Sequence, residues 1–213
     1  IAKATAFMRR YGLCHVVDMD LRKCFDTLDH DLIIKAVRRR VADGTVLTLI
    51  RQFLESGVMT GHGVEKTDIG SPQGGVISPL LANIYLDSFD QFMRRRGHRI
   101  VRYADDILIF KASRRSAEHA LQVASDYLEH TLKLTVNTRK TQLTAMWKGV
   151  SYLGVEIHTR YTRIQPKKLA SFKDKVKTIT RRNTPVNLEK VIRDLNPVLR
   201  GFANYFRVCN CKH

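Results

Sequence analysis

The stretch RYADDILIF, Arg102 to Phe110, constrains the fold of this chain more than any other. Strand-like runs, IVRYA before and ILIF after, flank two adjacent carboxylates, Asp105 and Asp106. Runs so rich in β-branched and aromatic residues suit a buried sheet. Two like charges roughly 5 Å apart repel by about 3 kcal/mol at an effective dielectric near 20, before desolvation is counted. Asp is a good turn residue and tolerates positive φ in tight hairpins, so between polar neighbours the pair would need no further account. Between buried strands it makes a poor turn and a good cation site, because hard divalent ions are held by carboxylate oxygens.

A two-metal site needs a further acid from another strand, and VVDMD supplies one. His15 to about Asp20 reads as a strand, with Val17 and Met19 alternating on either side of Asp18. Asp18 and Asp20 share a parity, so alternation does not choose between them. Asp26, Asp29 and Asp31, in DTLDHD ahead of a helix, read as turn and cap residues.

Composition narrows the partners. The 213 residues, 44% hydrophobic, are enough to bury a real core. The longest apolar run, VISPLLANIYL, is too short to span a bilayer and is interrupted by Pro79 and Asn83, so no membrane-spanning segment is expected. A net charge of +17 and a pI near 10.1 imply a polyanionic partner, nucleic acid first and acidic membrane second. From His158 to His213 there are 14 Lys and Arg against Asp174, Glu189 and Asp194, a net of +11, so most of the surplus lies in the last quarter. Cys14, Cys24, Cys209 and Cys211 form neither a CxxC pair nor a disulfide framework, which points to a reduced, cytosolic compartment. The closing CNCKH offers too few ligands for zinc. A start at Ile1, with no Met and no signal-like segment, reads as a piece of a longer protein.

HDLIIKAVRRRV and TVLTLIRQFLE read as amphipathic helices separated by Gly44. Residues 58–70, polar and punctuated by glycine, read as a hairpin, and Pro79 to Arg96 as a helix stopped by Gly97. A second long helix is expected over Ser116 to Leu132, then strands in KTQLTAM and VSYLGVEI. From Lys167, helical spacing resumes through Leu169, Phe172, Val176 and Ile179; Asn187 is placed to cap a helix through Leu195, and Asn196-Pro197 to restart another. The expected fold class is α+β, with a mixed core over 1–157 and a small basic helical unit over 158–213.

VVDMDLRKCFD, GSPQGGVISPLLANIYLD, RYADDILIF, TRKT and SYLGV stand in the order of the successive palm motifs of reverse transcriptases. The second of them, with LNPVLRGFANYF near the end, resembles the group II intron-encoded reverse transcriptase/maturase type. The resemblance runs over nearly the whole chain. It implies a palm, an antiparallel sheet backed by helices, with a remnant of fingers over 1–157, and a helical thumb or maturase-specific region over 158–213. The family places its fingers motifs upstream of the first catalytic acid, where this chain has only a short stretch, so the residues that clamp the triphosphate from that side are missing.

By the same resemblance, Asp20, Asp105 and Asp106 are the catalytic acids. They hold two Mg²⁺ ions, for which Mn²⁺ is a possible substitute, with help from the backbone carbonyl of Leu21; Asp18 becomes a neighbour. Phe25 packs under the incoming sugar and favours deoxynucleotides. Gln73 touches nucleotide and template base, and Gly74 and Gly75 allow close backbone approach. Lys140 lies near the triphosphate and serves the pyrophosphate leaving group. Tyr103 sits beside the primer end. Tyr152, Leu153 and Gly154, up to Val155, resemble the primer-grip turn. Lys167, Lys168, Lys173, Lys175, Lys177, Arg181 and Arg182 track phosphates of the RNA or hybrid duplex.

The partners implied are an intron RNA template, a DNA primer and dNTPs, in the cytoplasm of a bacterium or in an organelle; the oligomeric state is left open. Two alternatives accompany this expectation. One is a maturase remnant that binds intron RNA without synthesis. The other is a related bacterial reverse transcriptase in a defence or CRISPR-associated system.

Overall fold

A computed structural model describes the chain except for residues 57, 61–62, 66–68, 72–74, 184 and 211–213, with the backbone alone at 58–60 and 63–65. Its contacts group into two compact units, residues 15–144 and residues 1–14 with 145–213.

The first unit is built on a four-stranded sheet. It contains β1 (His15–Met19), β4 (Arg99–Tyr103), β5 (Asp106–Lys111) and β6 (Gln142–Ala145), in the order β4-β5-β1-β6. β1 and β4 both run antiparallel to β5. A hairpin of β2 (Val58–Thr60) and β3 (Gly63–Glu65) forms a separate two-stranded sheet, as the glycine punctuation suggests. The helices are α2 (His30–Arg38), α3 (Gly44–Glu55), α4 (Ser78–Arg95) and α5 (Arg114–Asp126). α5 packs on β1 and β5, α4 on β4, and α2 against α3 and α4. Val17, Met19, Ile100, Ile107 and Ile109 join Leu81, Tyr85, Leu86 and Phe89 of α4 and the alanines of α5 in one core.

Local chemistry sets the boundaries. The Asp29 side chain caps α2 by accepting from the Leu32 N–H at 3.0 Å. Asp43 caps α3 through Thr45 and Val46, so Gly44 opens that helix rather than separating it from α2. Gly97 closes α4 with φ 74°. The long helix expected to Leu132 keeps α-helical form to Asp126 and then widens into a π-helical turn over Tyr127–Thr131.

In the second unit, α1 (Ala2–Tyr11) accompanies a three-stranded antiparallel sheet of β7 (Val150–Tyr152), β8 (Val155–Ile157) and β9 (Thr162–Ile164). β7 and β8 lie where VSYLGVEI suggests strands, while β9 falls past residue 157 where none is expected, and all three group with the helices that follow. Those are α6 (Pro166–Ile179) and α7 (Leu188–Phe206). Asn187 caps α7 as expected, but Asn196-Pro197 does not restart a helix: α7 runs through Pro197 unbroken. Proline removes one hydrogen bond and crowds the preceding turn. Against that cost stands a continuous aromatic face, with Phe202 stacked on Phe172 of α6 at 3.7 Å and Phe206 next to it at 4.6 Å. Among the described residues no helix is long and apolar enough to cross a membrane.

Candidate active site

The acids meet at one end of the four-stranded sheet, where its central strands β1 and β5 finish and begin. Met19, the last residue of β1, lies opposite Ile107 of β5, and continuing that register by one residue sets Asp20 across from Asp106. On the other side of β5, Tyr103 pairs with Asp106 and closes a two-residue turn of Ala104 and Asp105. Ala104 takes φ 52°, the positive value such turns require. The two acids therefore do not share the tip, since Asp105 occupies the turn and Asp106 opens β5. Alternation puts Asp18 on the same sheet face as Asp106, while Val17, Met19, Ile107 and Ile109 turn into the core.

Electrostatics tie the cluster together. Burial, then the charges of Asp106 and Asp20, push the Asp18 carboxyl up to about 6. Burial, then Asp105 and Asp20, raises Asp106, while Lys140 pulls it back down. Asp18 is thus an electrostatic neighbour of Asp20 and Asp106 on the same face of the sheet.

The VNTRKT segment folds over the end of β1. Lys140, its side chain 70% exposed, brings Nζ within 3.5 Å of Asp20 Oδ2. Asn137 donates its side-chain amide to Asp20 Oδ2 at 2.8 Å and its backbone N–H to the Asp20 carbonyl at 2.9 Å. The Asp20 N–H reaches Thr141 Oγ1 at 3.4 Å. Leu21, buried, bridges to Val136, and the Arg22 N–H donates to the Thr135 carbonyl. The 137–141 turn closes on itself through Asn137, whose carbonyl accepts from both Lys140 and Thr141.

A second support lies under the hairpin. Arg102, with 9% of its side chain exposed, makes a bidentate pair with Asp90 of α4 at 2.9 Å for each bond. Its remaining nitrogen donates to Asn83 Oδ1 and to the Ala104 carbonyl, both at 2.9 Å. Neither Asn137 nor the Arg102–Asp90 pair was among the residues singled out in the sequence. A signal existed for each: Arg102 falls in strand register with Ile100, on the core-facing side, and Asn137 precedes a turn by the spacing of an Asx motif.

Phe25, half-buried against the core, sits in a 3₁₀ turn over Cys24–Thr27 that is fastened to the start of GSPQGG. The Ser71 N–H donates to the Phe25 carbonyl at 2.7 Å and the Gly70 N–H to the Leu28 carbonyl at 2.8 Å. His30 Nε2 contacts the Gly70 carbonyl at 2.6 Å. Gly70 takes φ 91°, and a Cβ there would stand 2.7 Å from the Asp26 carbonyl oxygen. Gln73 and Gly74 lie outside the described residues. Tyr103 is 64% exposed beside the acids.

The remaining candidates belong to the second unit. Tyr152 is buried in β7, and Leu153 and Gly154 form the tight turn to β8 with φ of 50° and 78°. The Tyr205 hydroxyl of α7 donates to the Leu153 carbonyl at 3.0 Å. Lys167, Lys168, Lys173, Lys175 and Lys177 are exposed along α6, and Arg181 and Arg182 are exposed just beyond it.

Among the described residues, no three His, Cys, Asp or Glu side chains are grouped so that they could hold a metal ion as they stand. The donors gathered at this end of the sheet are nonetheless all carboxylates, and crowding of their charges accounts for part of the raised Asp18 and Asp106 values. That donor chemistry fits a hard divalent ion.

Residues 3–157 match the family model described as reverse transcriptase (RNA-dependent DNA polymerase). The chain belongs to the reverse transcriptase family. Residues 169–213 of this reverse transcriptase chain match a second model, the group II intron maturase-specific domain. Protein YkfC of Escherichia coli (strain K12) is 32% identical over 182 residues, 70% of this chain and 48% of that protein. Group II intron-encoded protein LtrA of Lactococcus lactis is 42% identical over 77 residues, 36% of this chain and 13% of LtrA. Apo telomerase from Candida tropicalis has a TM-score of 0.63 at 11% identity, covering 97% of this chain and 44% of that one, a likeness of fold alone. The matched region spans less than half the length of each of these proteins. Members of the family generally use divalent metal ions, in keeping with the carboxylates described above.

Proposed function

We propose that this chain is an RNA-directed DNA polymerase of group II intron type that copies intron RNA into cDNA, with residues 1–157 as palm and 158–213 as thumb. One observation carries the reading: Asp20 and the Asp105–Asp106 hairpin share one end of the sheet, with the Lys140 ammonium 3.5 Å from Asp20. Asp20, Asp105, Asp106 and the Leu21 carbonyl would hold two Mg²⁺ ions, with Mn²⁺ as substitute. When bound, these supply charge neutralisation at the primer 3′-hydroxyl and at the triphosphate.

The chain's own residues do the rest. Lys140 is placed to give a proton to the departing pyrophosphate, and its flexible stem lets it leave Asp20 for the phosphates. The Phe25 ring would exclude a 2′-hydroxyl, selecting deoxynucleotides. Gln73 and Gly74 would approach the nucleotide, and Tyr103 and the turn of Tyr152, Leu153 and Gly154 the primer end. The α6 lysines, with Arg181 and Arg182, would follow phosphates of RNA or hybrid without regard to sequence.

A maturase role in splicing is a second reading of the same chain, favoured by the maturase-specific match over 169–213. Both place it with RNA in a bacterial cytoplasm or an organelle. Primer extension on an RNA template with dNTPs and Mg²⁺ tests the first. The parent chain extends the primer and Asp105→Ala/Asp106→Ala does not. Absence of extension in the parent, with intron RNA still tightly bound, would leave the maturase reading in its place.

A further inference from the structure

The last quarter of the chain holds most of the surplus charge, but the 15–144 unit carries a basic feature of its own. Two arginine triplets, Arg38 to Arg40 and Arg94 to Arg96, lie far apart in sequence at the C-terminal ends of α2 and α4. The packing of α2 on α4 brings them to one groove of about 960 Å³, to which Arg39, Arg40, Arg95 and Arg96 all contribute. Among the described residues none of these four pairs with a carboxylate, whereas Arg94 is 3.8 Å from Asp90. Asp87 is the one acid on the wall, and it accepts from Gln91 at 2.9 Å. Four guanidiniums held together without counter-charges repel one another, so the surface is complementary to an anion.

Two details identify the anion. All four cations are Arg, whose planar fork matches phosphate oxygens two at a time, where Lys offers a point charge. The groove lining also includes an aromatic stack, Phe92 on Tyr127 at 4.1 Å, with the Arg96 guanidinium 4.5 Å above Phe92. Bases of single-stranded nucleic acid stack on such planes. From Asn83 to Arg96 the α4 wall is about 20 Å long, enough for several nucleotides. Asn83, at the far end, bonds to Arg102 under the catalytic turn.

We propose that this groove is a second RNA-binding surface, which seats the phosphodiester backbone of a single-stranded or looped RNA segment on the arginines and a base against the Arg96 guanidinium that covers the Phe92–Tyr127 stack. The choice of RNA as the strand rests on the polymerase reading; the groove itself does not. It would act on the palm, apart from the lysines of α6.

The test is binding of a fluorescein-labelled oligo(U) RNA to the full chain across a salt series. Arg39→Gln/Arg40→Gln/Arg95→Gln/Arg96→Gln should lower the slope of log affinity against log salt by about 3, at ~0.7 for each phosphate no longer neutralised. The corresponding four-Lys variant should keep the slope. A Gln variant with the parent's slope and affinity overturns the proposal. So does displacement of the RNA from the parent by poly-L-glutamate as readily as by unlabelled RNA, which would make the groove an acidic-protein site. Primer extension with Asp105→Ala/Asp106→Ala separates the two readings: if no chain extends a primer while the slope still drops, the polymerase falls and the groove stands.

Discussion

Asn137 holds Asp20 at two points, donating its side-chain amide to Oδ2 at 2.8 Å and its backbone N–H to the carbonyl at 2.9 Å. The first bond orients the carboxylate and the second fixes the chain that carries it. Partners of this kind typically contribute 10- to 100-fold to metal affinity or activity. Asn137→Ala should therefore reduce primer extension by about 10- to 100-fold, raise the Mg²⁺ concentration required and leave the fold intact. A titration of extension rate against Mg²⁺ checks this. A variant with the parent's rate and Mg²⁺ requirement would show that Asn137 serves only the turn.

Gly70 is needed where it stands. Its φ of 91° is costly for any residue with a Cβ, and the added atom would press on the backbone oxygen of Asp26 at 2.7 Å. Backbone strain of this kind is worth about 1–3 kcal/mol. For a chain of this size, ~2 kcal/mol lowers the melting midpoint by about 4–8 °C. Gly70→Ala should show that loss, and a weaker hold on the Phe25 turn should also relax discrimination against ribonucleotides. Gly44→Ala is the control: a Cβ there meets nothing within 4 Å and the residue is helical, so its midpoint should hold or rise.

How much of this was legible in the sequence depended on how local the cause was. The strand character of VVDMD and ILIF and the caps at Asn187 and Gly97 arise from neighbouring residues, and all stand where the pattern put them. The unbroken α7 was hidden because Pro197 is a local signal, whereas the Phe172–Phe202 stack that ties the helix to α6 beyond it is tertiary. Asp18 was set aside by motif comparison, although parity placed it on the acid face, because its burial and its nearness to Asp106 are tertiary. The convergence of two arginine triplets depends on α2 meeting α4, which no spacing within either helix reveals.

The Arg102–Asp90 pair makes a separable prediction. Removing one partner of a buried ion pair leaves the other charge uncompensated, at a cost of about 3–5 kcal/mol, whereas replacing both with apolar residues is often near neutral. Asp90→Leu, which strips Arg102 of its carboxylate, should destabilise strongly, Arg102→Met less because Arg94 stays 3.8 Å from Asp90, and the double variant should recover much of the loss. Arg102 also donates to the Ala104 carbonyl in the turn that presents Asp105. Extension by the double variant should therefore stay low although its stability returns. Denaturant melts and extension rates on the three variants check both halves, and a double variant that regains full activity would remove the positioning role.

Asp18 gives a pH dependence with a definite sign. Its carboxyl titrates at about 6 in the folded chain against an ordinary value of 3.8. Between those values the folded chain binds more protons than the unfolded one, so this group makes stability fall as pH rises. The penalty is absent below about pH 4 and complete above about pH 6. Asp18→Asn abolishes it, and in EDTA the variant should melt higher than the parent near pH 7, with the gap closing as pH drops towards about 4. Thermal melts of both chains across that range are the measurement. A gap of constant size would assign the gain to packing of the amide, and no gap near pH 7 would mean that folding does not raise the Asp18 carboxyl. Divalent ions should narrow the gap from the other side: they bind the parent's carboxylates, relieve the same crowding and raise its midpoint more than the variant's.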